Sequence, residues 1–356
     1  MTPRFHSLRI AGAQRETADA VVLSFDVPPA LAAEYRFVQG QHLTLRAFFN
    51  GEEMRRSYSI CSGADDGELE VAIKKVAGGR FSAWSIDHLA GGDAIDVMTP
   101  EGRFHVPLDA TNAKHYVAFA AGSGITPVIS LVRTTLAREP RSRFTLVYGN
   151  RRQNTVMFHE ALQDLKDRHL ARFALYHVFS REPQDVRLFH GRLDGVRTRE
   201  FLDALIPAES IDEAFVCGPA SMIDEVESAL LAAGVAREHV HVERFGTPGA
   251  SVLATPEPQP DAAEARLSLV IDGVRRDVDF HREHESILAA GLAAGLDLPF
   301  SCKGGMCCTC RARLIEGEVK MRRNFALDAR DVDAGFLLTC QSYPLTERVV
   351  VSYDDR

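Results

Sequence analysis

Cys302-Lys303-Gly304-Gly305-Met306-Cys307-Cys308-Thr309-Cys310 reads CKGGMCCTC, and Cys340 follows in LLTCQ thirty residues on. Four residues separate Cys302 from Cys307, and two separate Cys307 from Cys310. Three thiolates at that spacing converge from one loop onto a centre a few ångströms across, and a distant fourth closes it. This is the ligand pattern of a plant-type 2Fe–2S cluster. Gly304 and Gly305 let the backbone come close and turn N–H groups toward the sulfurs. A zinc knot would use two C-x-x-C knuckles, and this loop holds one, Cys307 with Cys310. The expected metal ligands are therefore Cys302, Cys307, Cys310 and Cys340. Cys308 falls off the pattern and reads as a small neighbour of the cluster, and Cys61 as a core residue of its strand.

Outward from this loop, residues 265–356 carry strand candidates Leu267–Ile271 and Val274–Asp279 and a helix near Ser286–Ala293, an α+β unit of β-grasp type. Before it, the Pro- and Ala-rich run TPGASVLATPEPQPDAAEA reads as semi-rigid linker, bounded at 248–264. Residues 111–247 alternate buried-strand candidates (Tyr116–Ala121, Phe144–Tyr148, Phe173–Phe179, Ala214–Cys217) with helical stretches (Thr126–Ala137, Val156–Asp167, Arg199–Leu205, Ser221–Ala233). That alternation implies an α/β domain with a parallel sheet covered on both faces. Residues 1–110 hold short alternating segments broken by glycine, the pattern of an antiparallel β-barrel, with one helix expected from Ser82 to Leu89, capped by Ser82.

A chain of 356 residues is long enough for two or three such domains. Its formal charge of −8 comes with no long basic stretch, which argues against nucleic acid as a partner. No run reaches the roughly 18 apolar residues of a membrane span, and the N-terminus lacks a signal-peptide core. A cytoplasmic protein with reduced cysteines is the expectation.

Two motifs in the first domain suit a flavin. Arg56-Ser57-Tyr58-Ser59 ends a strand, and Gly79-Arg80-Phe81-Ser82 opens a helix. Arg56 supplies a cation for phosphate, Tyr58 an aromatic face for the isoalloxazine, and Ser59 a hydroxyl near its reactive nitrogen. The helix start offers free N–H groups to a pyrophosphate. In the second domain Gly122-Ser123-Gly124-Ile125-Thr126-Pro127 lies between strand and helix, where the glycines permit close approach of phosphate and Thr126-Pro127 starts the helix. Cys217-Gly218-Pro219 closes a later strand at the edge where such sheets bind ligands.

RxYS followed by GxxS, with this G-x-G-x-x-P turn, resembles the ferredoxin–NADP reductase superfamily. The resemblance implies FAD, with Arg56, Gly79 and Ser82 on its phosphates and Tyr58 and Ser59 on its ring. It places Cys217 beside the nicotinamide C4, so Ser59 and Cys217 are the expected catalytic pair. Gln39 stands where the family often has proline. Phe245 either covers the flavin face opposite Tyr58 or packs at the domain hinge. Asn150 and Arg151 after the second strand, and Ser180 and Arg181 after the third, replace the acid that would favour NADH. Those arginines favour NADPH by pairing with a 2′-phosphate.

Hydride brings two electrons and a 2Fe–2S cluster accepts one, so a flavin must mediate between them. The chain shows neither a haem-ligand constellation nor an E-x-x-H motif on paired helices, so oxygen chemistry belongs to another protein. FHSL, GQHLTL, YSIC, AAGSGITP, TLVYGN, CGPASM and LPFSCKGGMC together resemble the reductase subunits of phenylacetyl-CoA epoxidase complexes. That resemblance implies delivery of NADPH electrons to a di-iron oxygenase in aerobic phenylacetate degradation. Individual motifs are shared with reductases of Rieske-type and steroid hydroxylases, which remain the alternative.

Overall fold

Strand β1 (Phe5–Thr17) turns directly into β2 (Ala20–Asp26), because Leu8 and Ile10 alternate with polar neighbours and face Val21, Leu23 and Phe25 across one core. With β3 (His42–Phe49), β4 (Glu52–Ser59), β5 (Glu70–Lys74) and β6 (Ala94–Met98) they form an antiparallel sheet in the order β4-β3-β6-β1-β2-β5. A bridge between Ile60 and Val71 brings the two edge strands together and closes the barrel. The structure is a computed structural model and describes residues 4–246, 261 and 263–355. The expected 248–264 linker lies mostly outside those residues.

Helix α1 (Arg80–His88) begins two residues before the expected start, and its N-cap is Gly79, not Ser82. The Ser82 hydroxyl instead accepts the Val76 N–H at 3.1 Å and donates to the Gly79 carbonyl at 3.3 Å. It ties down the preceding turn, so the helix start carries no side-chain cap.

The second domain runs β7 (His115–Ala121), α2 (Ile125–Arg138), β8 (Arg143–Asn150), α3 (His159–Arg168), β9 (Phe173–Phe179), α4 (Gly195–Ala204), β10 (Glu213–Gly218), α5 (Ala220–Ala232) and β11 (Val240–Arg244). All five strands are parallel, ordered β11-β10-β7-β8-β9. The chain reverses its direction of travel between β7 and β10, which puts the ligand crevice at the C-terminal ends of those two strands. Helix α4 starts earlier than the pattern suggested, because the Asp194 carboxylate caps Arg197 N–H at 2.8 Å. Strand β11 is additional to the four expected strands. Its residues VHVER are all partly buried, without the fully buried run of a central strand.

In the third domain, β12 (Ala265–Ile271), β13 (Val274–Phe280), α6 (Ile287–Ala293), β14 (Arg311–Glu316), β15 (Val319–Met321), α7 (Ala329–Asp333), β16 (Phe336–Leu338), β17 (Ser342–Pro344) and β18 (Arg348–Ser352) build a mixed sheet, β13-β12-β18-β14-β16, and a β15-β17 pair. Terminal strands β12 and β18 pair in parallel at its centre. This domain has its own core around Leu267, Leu288, Phe280 and Tyr353. The first two domains share one, in which Cys61, Phe104 and Val106 pack with Tyr116, Phe215 and Cys217.

Candidate functional site

A cleft of about 1640 Å3 lies among the three domains, and strand β4, the start of α1, strand β11 and the cysteine loop all border it. The whole Arg56–Ser59 segment and Gly79–Ser82 line it. Tyr58 is partly buried, with its ring 5.9 Å from that of Phe81. Phe81 turns into the barrel core and Arg80 pairs with Glu52 at 2.9 Å. These two residues therefore offer an anion their backbone N–H groups, and not their side chains, at the uncapped helix start. A Cβ on Gly79 would stand 2.7 Å from the Ser82 hydroxyl and 3.0 Å from the Val76 carbonyl, so the turn admits only glycine.

His42, in GQHL, borders the same cleft; its Nε2 is buried with no hydrogen-bond partner, and burial pushes its pKa down to about 4. A neutral imidazole with an unmet polar atom suits a polar ring system, so the cradle fits a flavin. Nothing in the sequence singled out His42. Nor did it single out Glu243, which accepts a hydrogen bond from the Ser59 hydroxyl at 3.2 Å. Burial raises the Glu243 carboxyl to about 8, although the Ser59 hydrogen bond opposes this. A lone acid within VHVERF was its only signal.

Cys217 is Glu243's neighbour across the β10–β11 ladder. It is fully buried in the core shared by the first two domains and does not border the cleft. Burial, and then the Glu243 charge, push its thiol well above its ordinary range. Gly124 packs on the Cys217 backbone so tightly that a Cβ would lie 2.1 Å from the Cys217 carbonyl oxygen. The turn after β7 and the end of β10 are thus held together by a glycine, and Ser123 and Thr126 reach the cleft from it. Gly218 ends β10 and Pro219 leads into α5 as its N-cap.

Asn150–Arg151 and Ser180–Arg181 are stitched to each other, Ser180 N–H to the Asn150 carbonyl and Arg181 N–H to the Arg151 carbonyl, each at 2.9 Å. Arg151 and Arg181 therefore stand side by side, exposed, on the same sheet edge as Gly122. Phe245 borders the cleft and is 37% exposed, which leaves its ring free to cover a ligand. Gln39 is buried and donates to the Val106 carbonyl at 2.9 Å, at the junction of the first two domains.

The four expected cluster ligands come together as two pairs. The Cys302 N–H donates to the Cys307 Sγ at 3.5 Å, and the Cys310 and Cys340 thiols lie close enough that Cys340 raises the Cys310 thiol. Cys302 Sγ also accepts N–H bonds from Gly304 at 3.3 Å and Met306 at 3.4 Å. The neighbouring Cys307 thiol, with these N–H groups, pulls the Cys302 thiol below its ordinary range. Among the described residues no three His, Cys, Asp or Glu side chains gather around a single ion centre. Two thiol pairs supplied with N–H donors fit two irons holding two thiolates each. Lys303 and Cys308 both adopt positive φ, 50° and 56°, as the loop wraps, and the Cys308 thiol donates to the Ala326 carbonyl at 3.3 Å.

A flavin cradle, a nucleotide-binding sheet edge and a cysteine-pair loop around one cleft define a pyridine-nucleotide-dependent electron-transfer reductase. Family models for an oxidoreductase FAD-binding domain match residues 7–106, for an oxidoreductase NAD-binding domain residues 119–228, and for a 2Fe–2S iron–sulfur cluster binding domain residues 269–345. The chain is similar to a component of the 1,2-phenylacetyl-CoA epoxidase of Escherichia coli (strain K12), at 45% identity over 98% of both chains. It is 34% identical to the ferredoxin reductase component of 3-ketosteroid-9-alpha-monooxygenase from Mycolicibacterium smegmatis, over 98% of this chain and 97% of that one. The solved structure of phthalate dioxygenase reductase superposes with a TM-score of 0.58 at 25% identity, covering 98% of each chain. The chain belongs to this family of three-domain FAD-, NAD- and 2Fe–2S-binding oxidoreductases, the reductase components of multicomponent oxygenases. Among the described residues, no helix is long and apolar enough to cross a membrane.

Proposed function

We propose that this protein takes hydride from NADPH and feeds single electrons to the di-iron oxygenase of a phenylacetyl-CoA epoxidase in the cytoplasm. The observation that carries the electron path is the shared cleft, where Arg56–Ser59 and the Cys302 and Cys307 loop border one space. FAD, when bound, supplies the conversion of a two-electron hydride into two one-electron deliveries. Arg56 and the N–H groups of Gly79–Ser82 hold its phosphates, while Tyr58 and Phe245 bracket its ring. Ser59, hydrogen-bonded to Glu243, presents a hydroxyl to the reacting edge, and Glu243 holds a proton beside it near neutral pH. Cys217 fixes the end of β10 against Gly124, which shapes the nicotinamide pocket from behind. Gly122, Ser123, Gly124 and Thr126 take the coenzyme pyrophosphate. Arg151 and Arg181 take its 2′-phosphate, with Asn150 and Ser180 fixing their loops. Cys302 with Cys307, and Cys310 with Cys340, ligate the cluster.

The oxygenase partner rests on the 45% full-length identity to the epoxidase component, against 34% to the steroid monooxygenase component. A steroid or Rieske-type hydroxylase is the second reading, favoured by that second similarity. Anaerobic titration of the purified protein with NADPH, and separately NADH, tests the path: flavin and iron–sulfur bands should both bleach, more readily with NADPH. Colourless protein, or flavin bands without iron–sulfur shoulders in protein supplied with iron, defeats it. Reconstitution with the epoxidase oxygenase and phenylacetyl-CoA, alongside a steroid hydroxylase and its substrate, decides the partner.

A further inference from the structure

Strand β4 alternates in what it touches. Tyr58 faces α1, with its ring near Phe81. Arg55 and Ser57 project from the other face and meet the cluster domain. Arg55 is 4% exposed. It donates to the Leu298 carbonyl at 3.2 Å and to Asp297 at 3.3 Å, and its guanidinium lies 4.0 Å from the Phe300 ring centroid. Glu53, on the same strand, steadies it at 2.8 Å. Two residues along, the Ser57 hydroxyl donates to that of Ser301 at 2.8 Å. Phe300 and Ser301 immediately precede Cys302.

A buried guanidinium that satisfies donors across a domain boundary resists displacement, because removing its partners would strand a desolvated charge. A planar fork stacked on a ring also fixes orientation, which an ammonium would not. The third domain keeps its own core, so contacts of this kind are what register it against the barrel.

We propose that Arg55 is a positioning residue that clasps the cluster domain to the flavin strand, so that electrons cross from flavin to cluster through a fixed gap. The assignment rests on the flavin and cluster sites proposed above. The step itself would move one electron from the two-electron-reduced flavin to the oxidised cluster, with no bond made or broken; the proton that accompanies full reoxidation of the flavin leaves to solvent with the second electron. Arg55 touches neither group in this scheme. It acts through Phe300 and the backbone of Leu298, and so through the start of the ligand loop.

The test uses the full-length, FAD- and cluster-loaded protein and its Arg55→Met and Phe300→Leu variants. Anaerobic stopped-flow mixing with NADPH should show flavin reduction within twofold of the parent in both variants. Cluster reduction should slow at least tenfold in Arg55→Met and about threefold in Phe300→Leu. Electron paramagnetic resonance of the dithionite-reduced cluster should be unchanged, and small-angle scattering should show a larger radius of gyration for Arg55→Met. Cluster reduction within twofold of the parent overturns the assignment, and so does an unchanged radius or loss of flavin. If Arg55→Met does not fold, Phe300→Leu decides on the same readouts. A parent protein whose flavin bleaches while its cluster does not overturns the electron path itself, and this assignment with it.

Discussion

The flavin domain meets its two neighbours through joints of opposite character. Against the nucleotide domain it shares an apolar core, with the Phe104 and Phe215 rings 5.4 Å apart edge to face. Against the cluster domain its contacts are polar: Arg55 with Asp297 and Leu298, Ser57 with Ser301, Arg103 with Asp331, and Arg4 with Asp272. Apolar burial is non-directional and cooperative, so the first joint behaves as one body. Polar contacts are directional, so the second joint holds orientation without merging the domains. The difference suits the task. Hydride transfer needs a nicotinamide and a flavin in van der Waals contact, whereas an electron tolerates a gap and the cluster must also serve a second protein.

The largest effect that would sharpen this contrast is expected from Cys310→Ser. Electron delivery to the oxygenase should fall to background while NADPH-driven ferricyanide reduction, a flavin reaction, persists; loss of both would show that the cluster domain supports the flavin half after all. Phe104→Ala should cost about 3–5 kcal/mol, measured by denaturant unfolding. Flavin release and loss of nucleotide-domain structure should coincide, with the cluster absorbance lost in a separate transition. Separate melting of flavin and nucleotide domains would break the single-body account.

Glu243 sits at the same joint and should impose a pH dependence. Its folded pKa is about 8 against an ordinary 4.5. Above pH 4.5 the unfolded chain releases this proton while the folded one keeps it, so stability falls as pH rises from about 4.5 to 8 and then levels. Glu243→Gln should lose about 5 kcal/mol less across that window, read from urea midpoints of paired pH series; parallel curves for the two proteins would refute the buried-acid account. On the sheet edge away from the joints, Arg151→Ala and Arg181→Ala should each raise the KM for NADPH about tenfold and leave NADH unchanged. Equal losses for both coenzymes would refute a 2′-phosphate role. The smallest effect belongs to Arg4→Ala. Its pair with Asp272 leaves both side chains at least half exposed, so stability should change by less than about 0.5 kcal/mol.

The strong motifs were legible because each encodes a local backbone demand. CKGGMCCTC wraps a tight loop, and GSGITP turns a strand tightly into a helix. The alternation of strands and helices in 111–247 similarly announced the parallel sheet, with helix boundaries off by a few residues where a cap such as Asp194 was overlooked. Ser82 shows the limit of local reading: a serine at a helix start reads as a cap, yet its hydroxyl is taken by Val76 and Gly79.

By itself, then, the sequence determined the three domain types and marked the RSYS, GRFS, GSGITP and CKGGMCCTC segments, since these depend on spacing within short segments. Only the tertiary structure decided that Glu243 meets Ser59, that Cys217 lies behind the cleft, and that Arg55 reaches Phe300. Those partners lie on different strands, loops or domains, in two cases more than 180 residues apart, and no local periodicity records which distant side chain a folded strand will face.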